Sequence, residues 1–237
     1  MRVAVVTPAY NEAPKVRPSL EALVAAKLGD VFAVNDGSKD GTGEVMASVA
    51  GVTVLHHAER RGVGAALRTG FARALEGGYD IVAVSSCVGK SRPEDVARLV
   101  DAVVSGGWDF VQGSRYLAGG AGVNMPAHRS LGTRGYSALF SLFAGHAVTD
   151  GSSGIRAVRA ALLRDPRLDL DQAWLDTYEL EPYLYYKALT LGFKVTELPI
   201  SILYPADRKA SYTKMRMVSD WWRISRPLLF LRLGLRR

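Results

Sequence analysis

Between Ile81 and Asp95 the chain reads IVAVSSCVGKSRPED, and its middle carries two hydroxyls, a thiol, a glycine and a lysine. Ile81–Val84 is a short apolar, β-branched run, as expected of a strand buried on both faces. Arg92-Pro93-Glu94-Asp95 opens a helix, with Ser91 the expected N-cap, Pro93 near the first turn and two acids at the positive helix end. Ser85–Lys90 is then a loop at the carboxyl end of a strand, the edge at which open α/β sheets bind ligands. Sites of that kind usually work through carboxylates or histidines. This one offers Ser86, Cys87 and Lys90. Cys87 reads as a small buried residue in preference to a nucleophile or redox switch, because no histidine is placeable beside it.

Three other stretches carry polar chemistry. Pro8-Ala9-Tyr10-Asn11-Glu12 and Asn35-Asp36-Gly37-Ser38-Lys39-Asp40-Gly41-Thr42 each follow an apolar run. Either alone reads as turn chemistry; together at one sheet edge they supply acceptors for a base N–H and a ribose diol. Arg61–Gly70, containing Gly64 and Arg68, is a glycine-rich helix entry. Two readings of it are open: close helix–sheet packing, or backbone N–H groups held near a diphosphate. It is neither a Walker sequence nor a dinucleotide fingerprint. The remaining acids that could serve a hydroxyl acceptor as base are Asp150 and Glu179 or Glu181, with capping of the following turn as the competing reading of Asp150. The four tyrosines from Tyr178 to Tyr186 fit packing better than a sugar platform.

The elements that must position these residues alternate. Strands are expected at Val3–Val6, Val31–Val34, Val52–His56 and Ile81–Val84, with helices at Lys15–Lys27, Thr42–Val49, Gly62–Leu75 and Glu94–Val104. Such βαβ units predict an α/β fold with a mostly parallel central sheet flanked by helices, and right-handed crossovers bring Thr7, Asn35-Asp36 and Ser85-Ser86 to one edge. Beyond Phe110-Val111 the pattern changes: a flexible Gly119–Gly122, helices at Ser130–Phe143 and Trp174–Leu191, and a half-exposed strand at Val195–Leu203. The tail from Met215 carries Trp221-Trp222 and an apolar run, Pro227–Leu235, ringed by arginines. It reads as a docked C-terminal helix, with an interfacial helix on anionic headgroups as the alternative.

The chain has 237 residues, enough for one α/β domain with a full core. Its 48% hydrophobic and 22% charged content excludes disorder on compositional grounds. A net charge of +7 suits an acidic partner, and no nucleic-acid reading motif accompanies it. One cysteine excludes an intrachain disulfide and fits a reducing cytoplasm. The N-terminal apolar run is too short for a signal peptide, and no stretch reaches the roughly 18 apolar residues of a membrane span. The expected place is cytoplasmic, with peripheral contact at the inner membrane face as the further reading.

Seven motifs in order carry a resemblance: PAYNE at 8–12, NDGSKDGT at 35–42, RGVGAALRTGF at 61–71, PED at 93–95, GSRY at 113–116, DGSSGIRA at 150–157 and RKASYTKM at 208–215. The chain resembles family 2 glycosyltransferases of the GT-A fold, in particular the dolichyl-phosphate mannose and polyprenyl-phosphate glucose synthases. The resemblance implies a GT-A domain over 1–214, with a nucleotide-sugar-binding half at 1–112 and an acceptor half at 113–214, followed by a basic amphipathic helix over 215–237. It implies inverting transfer of a hexose from a UDP- or GDP-hexose to a phosphorylated lipid or a small hydroxyl acceptor. Pro8, Tyr10 and Glu12 would border the nucleoside and Asp36 would recognise the base, with Gly64, Arg68 and Ser86 also on the donor. Arg115, Arg129 and Arg208 would grip donor diphosphate and acceptor phosphate, with Thr133 on the acceptor side. The catalytic set would be Asp150, Arg115, Arg208 and Lys90.

One departure stands out. The family's metal-holding DxD aligns with Ser86-Cys87-Val88, and the glutamine after Gly89 is Lys90. Mg2+ and Mn2+ want hard oxygen ligands, so a strong metal site is not expected here. Two explanations compete. Lys90 supplies the positive charge in a metal-independent transferase, or the chain is a catalytically inactive nucleotide-binding paralogue acting as a binding or regulatory subunit.

Overall fold

The computed structural model describes residues 1–205 and 219–236. The motif at 208–215, with Arg208, and the boundary at 214/215 lie outside the described residues. Nine strands and eight α-helices are described, beginning with β1 (Val3–Ala9), α1 (Ala13–Ala25), β2 (Asp30–Asn35), α2 (Thr42–Ala47) and β3 (Val52–His56). Next come α3 (Val63–Glu76), β4 (Ile81–Val84), α4 (Pro93–Gly106), β5 (Phe110–Ser114), β6 (Ala121–Val123) and α5 (Ala127–Ala144). The remainder is β7 (Arg156–Arg159), α6 (Ala160–Leu163), a 3-10 turn at Ala173–Leu175, α7 (Leu180–Thr190), β8 (Val195–Pro199), β9 (Ser201–Leu203) and α8 (Ser219–Arg232).

The expected α/β architecture holds. Seven strands form one sheet in the order β3-β2-β1-β4-β7-β5-β8, and only β7 runs antiparallel to its neighbours. Six parallel strands therefore end on one edge, at Ala9, Asn35, His56, Val84, Ser114 and Pro199. The chain winds outward from β1 to β3 and then crosses to β4 on the other side, so β1 and β4 flank the switch point where a crevice opens. Because β7 is antiparallel, with Arg156 opposite Val84, the 150–155 loop reaches that same edge.

Each face of the sheet is covered by a buried apolar cluster. One gathers Phe110, Phe140, Tyr183 and Tyr185 under α3, α5 and α7. Tyr185 stacks on Phe110 with ring centroids 5.1 Å apart, as the packing reading of the tyrosines expects. The other gathers Val16, Leu20, Leu99 and Val103 under α1 and α4. On α8, Ile224 and Leu228 are buried, and the Ile224 carbonyl accepts from the Tyr136 hydroxyl at 2.8 Å. Among the described residues no helix is long and apolar enough to cross a membrane.

Four local expectations are corrected. The helix expected over Trp174–Leu191 is a 3-10 turn, a bound irregular stretch and then α7. The break is imposed from afar. The Arg68 guanidinium takes the carbonyls of Leu170 and Gln172 and the carboxylate of Asp176, and Ala65 N donates to Asp176 O at 2.9 Å. The single strand expected over Val195–Leu203 is two, because after Ile200 the chain leaves β5 and pairs with β6. Gly119–Gly122, read as flexible, enters β6. Ser91 does not cap α4: its hydroxyl meets Ser85 Oγ at 3.0 Å and accepts from Ser86 N at 3.1 Å, leaving Arg92 at the cap position.

Gly64 gives the sharpest test of this packing. A β-carbon there would lie 2.0 Å from Leu175 O and 2.6 Å from Thr177 O, both backbone atoms. Gly64→Ala is expected to cost about 2 kcal/mol or more by overpacking, lowering the melting temperature by roughly 4 to 8 °C, as read by a circular-dichroism melt.

Candidate functional site

A cleft of about 970 Å³ lies over the switch point. Its walls come from the loop after β1 (Pro8, Tyr10, Glu12), the β2 end (Asp36), residues 60–63, the β4 loop (Ser85 to Val88 and Lys90) and Arg115, Arg129 and 152–155. Pro8, Tyr10, Glu12, Asp36, Ser86, Lys90, Arg115 and Arg129 are thus brought together. Arg68, Gly64, Thr133 and Asp150 are not among the residues lining it.

The two polar turns build one shelf by interlocking. Ser38 Oγ accepts from Asn11 N at 3.0 Å, Asn11 Oδ1 from Lys39 N at 2.9 Å, and Thr42 Oγ1 from Glu12 N at 2.8 Å. The Arg60 guanidinium lies over the Tyr10 ring, 4.4 Å from its centroid. Asp36 is buried, and the protein itself uses its carboxylate. His57 Nδ1 and Arg61 N meet Oδ1, and Gly62 N meets Oδ2, each at 2.8 Å. It therefore anchors the glycine-rich loop while lining the cleft.

The same bonds settle the two readings of that loop. Arg61 N and Gly62 N are spent on Asp36 and Ala65 N on Asp176 O, so these amides are not left for a diphosphate. Gly62 and Gly64 lie against residues 175–177, and Gly70 lies against Val6 of β1. The glycines serve close approach. Gly64 and Arg68 are engaged with residues 170–177 and do not line the cleft.

Arg115 and Asp150 form a buried pair. Arg115 Nε donates to Asp150 Oδ2 and Nη2 to Oδ1, each at 2.7 Å. Nη1 donates to Tyr204 Oη and Nη2 to Ser152 Oγ, each at 2.6 Å. Burial alone would lower the guanidinium pKa, but the bonds and charge of Asp150 outweigh it and hold the group above its ordinary value. Asp150 is fully buried and also accepts from Ser152 N and Oγ. Its carboxylate holds Arg115 in place and does not border the cleft. Arg115 in turn keeps few donors for a phosphate.

Thr133 is buried in α5, where its hydroxyl meets Tyr116 Oη and donates to Arg129 O at 2.9 Å. It borders a second cavity of about 350 Å³, also lined by Tyr136, Pro182, Trp221 and Ile224. Arg129, Ser152, Ser153, Tyr178 and Glu181 line both cavities, so the two are neighbours that share these residues. Of the alternative acids, Glu179 is fully buried and paired with Arg226, whereas Glu181 borders both cavities beside Arg156 at 3.4 Å.

The β4 loop does not suit a hard cation. Cys87 is buried, its Sγ donates to Pro8 O at 2.9 Å, and burial pushes the thiol up to about 12. Ser86 Oγ accepts from Val88 N at 3.3 Å, and Val88 offers no side-chain ligand. Among the described residues no group of three or more His, Cys, Asp or Glu side chains could hold a metal ion. Sequence reasoning missed Tyr204 and the Asp220–Arg223 pair of α8, which also line the cleft. No motif pointed to Tyr204, whereas the i,i+3 spacing of Asp220 and Arg223 was a readable, if common, signal.

A family model described as Glycosyl transferase family 2 matches residues 4–165. The chain is 34% identical over 220 residues to an undecaprenyl-phosphate mannosyltransferase of Micrococcus luteus, covering 91% of this chain and 88% of that protein. It is 32% identical over 224 residues to a polyprenol monophosphomannose synthase of Mycolicibacterium smegmatis, covering 90% of this chain and 81% of that protein. Among solved structures, S. aureus TarS residues 1–349 in complex with UDP-GlcNAc aligns with a TM-score of 0.61 at 16% identity. That alignment covers 96% of this chain and 65% of the TarS chain, and the likeness is one of fold.

Two outcomes follow from the buried groups. Asp150→Asn, which leaves Arg115 buried without its counter-charge, is expected to lose about 3 kcal/mol or more in urea unfolding; a loss below about 1 kcal/mol would contradict the pairing. Cys87 is expected to resist iodoacetamide at pH 8, where its raised pKa keeps the thiol protonated, and to label fully in denaturant.

Proposed function

The chain belongs to glycosyl transferase family 2, and from that premise we propose that it transfers a hexose from a nucleoside diphosphate sugar to a polyprenyl phosphate, with inversion. The observation that carries the reading is the adjacency of the two cavities, which share Arg129, Ser152 and Glu181. The cleft over the sheet edge borders there a pocket walled by Trp221, Tyr136, Pro182 and Ile224, with the Arg129 guanidinium common to both. An amphiphile with a phosphate head and an isoprenoid tail matches that sequence of surfaces. Both relatives have mannose in their names, so UDP- and GDP-mannose are the first donors to test.

In this reading Pro8, Tyr10 and Glu12 border the nucleoside, and Arg129 directs the acceptor phosphate, with Arg115 beside it. A phosphate oxygen is already ionised and needs no base. A hydroxyl acceptor is the second reading, favoured by one observation: the Glu181 carboxylate lines both cavities. Acceptor choice and Glu181→Gln separate the two. With a phosphate acceptor the variant is expected to stay within about tenfold of the parent, whereas a hydroxyl acceptor would make it lose about a hundredfold or more. Nucleotide binding without transfer from any donor to either acceptor would favour the inactive paralogue.

Helices α5 and α8 pack on each other and leave Leu131, Leu139, Leu142 and Trp222 exposed, as are Leu233 and Leu235 just after α8. Leu131, Leu139 and Leu142 fall on one helical stripe, Arg134 and Arg232 are exposed on the same two helices, and Arg236 is exposed beyond the end of α8. Such a surface suits anionic headgroups around a lipid acceptor. Flotation with anionic liposomes is expected for the full chain and lost in Leu131→Glu/Leu142→Glu; equal flotation of the variant would sink this contact.

A further inference from the structure

We propose that Lys90, together with Arg129, takes the place of a divalent metal on the donor diphosphate, so that transfer by this chain needs no metal ion. The inference deepens the function proposed above and rests on it.

The first support is the donor set. At the three positions aligned with a metal-binding motif stand a hydroxyl engaged by Val88 N, a protonated buried thiol and an aliphatic side chain. Hard divalent cations take oxygen ligands, most strongly carboxylates. The carboxylates bordering this side of the cleft are in use. Glu12 pairs with Lys15 at 3.1 Å, and Asp36 holds His57, Arg61 and Gly62.

The second support is the placement of Lys90. Its carbonyl accepts from Leu203 N at 2.9 Å, and Ser91 bridges Ile202, so the loop is fastened to β9. The side chain is half-buried and lines the cleft, and among the described residues its ammonium has no hydrogen-bond or ion-pair partner. Burial pushes its pKa below the ordinary lysine value, Arg129 pushes the same way, and Glu12 opposes them. The Lys90 ammonium and the Arg129 guanidinium repel each other across this wall, and an anion with several oxygens between them offsets that repulsion.

The chemistry balances without a metal. An acceptor phosphate oxygen bonds to the anomeric carbon as the bond from that carbon to the diphosphate oxygen breaks. The electron pair stays on the leaving nucleoside diphosphate, and no proton moves. Charge grows on the diphosphate as that bond breaks, so cations fixed there act more strongly on the transition state than on the bound donor.

Calorimetry of UDP and GDP binding to the full chain, in excess EDTA and with Mn2+, tests this alongside transfer in the same buffers. Affinity and rate are expected to agree within twofold between the two conditions. Lys90→Ala should weaken diphosphate binding about tenfold or more while leaving uridine and guanosine unchanged. It should slow transfer about a hundredfold, and Lys90→Arg should recover most of that. Binding or transfer that requires Mn2+ overturns the inference and leaves the proposed function standing, as does a folded Lys90→Ala that matches the parent in EDTA. Absence of nucleotide binding in both conditions overturns the function as well. Should Lys90→Ala fail to fold, Lys90→Gln and the parent's metal dependence still decide.

Discussion

The buried ion pair between Arg115 and Asp150 is the constraint on which the cleft depends. It joins the end of β5 to the 150–155 loop, and through Tyr204 Oη to the segment after β9. Replacing such a pair by apolar residues is often neutral for stability, while breaking it is costly. Its value is therefore geometric. Three stretches distant in sequence are held at one edge by a fork of directed bonds that tolerates little displacement. Backbone anchoring reinforces it, because Glu197 accepts from Thr149 N at 2.8 Å and Asp150 N at 3.1 Å.

The same division of labour recurs around the site. Asp36 holds the glycine-rich loop, Asp95 accepts from Ser201 N at 2.8 Å where β9 begins, and Asp40 receives Thr42 N and Ala13 N. These three acids are spent on fastening loops to one another.

Much of the fold was legible in the sequence because parallel strands buried on both faces are short β-branched runs between turn residues. Val52–His56 and Ile81–Val84 came out with the expected limits. β7 did not, since two of its four residues are arginines. Arg156 is tolerated there only because the carbonyls of Ser153 and Glu181 and the Glu181 carboxylate receive it. The break before α7 was hidden for a related reason: the residues that cause it, Gly62, Gly64 and Arg68, lie about a hundred positions away. Pro8, Tyr10, Glu12, Asp36, Ser86, Lys90, Arg115 and Arg129 line one cleft, whereas Asp150, Arg68 and Gly64 lie behind its wall. A carboxylate or guanidinium shows its type in sequence but not its partner.

Lys90 and a divalent metal are not equivalent groups, and the difference constrains how the site can work. A metal ion carries two charges and bridges two phosphates through a fixed coordination shell. An ammonium carries one charge and three donors on a flexible stem. The second charge must come from another element, and the wall of this cleft offers Arg129 on α5. Two cations on separate elements divide the binding between the β4 loop and the helix that also borders the second cavity. Donor binding would then couple the two halves of the site, because the diphosphate relieves the repulsion between them. A metal held by adjacent carboxylates on one loop imposes no such coupling.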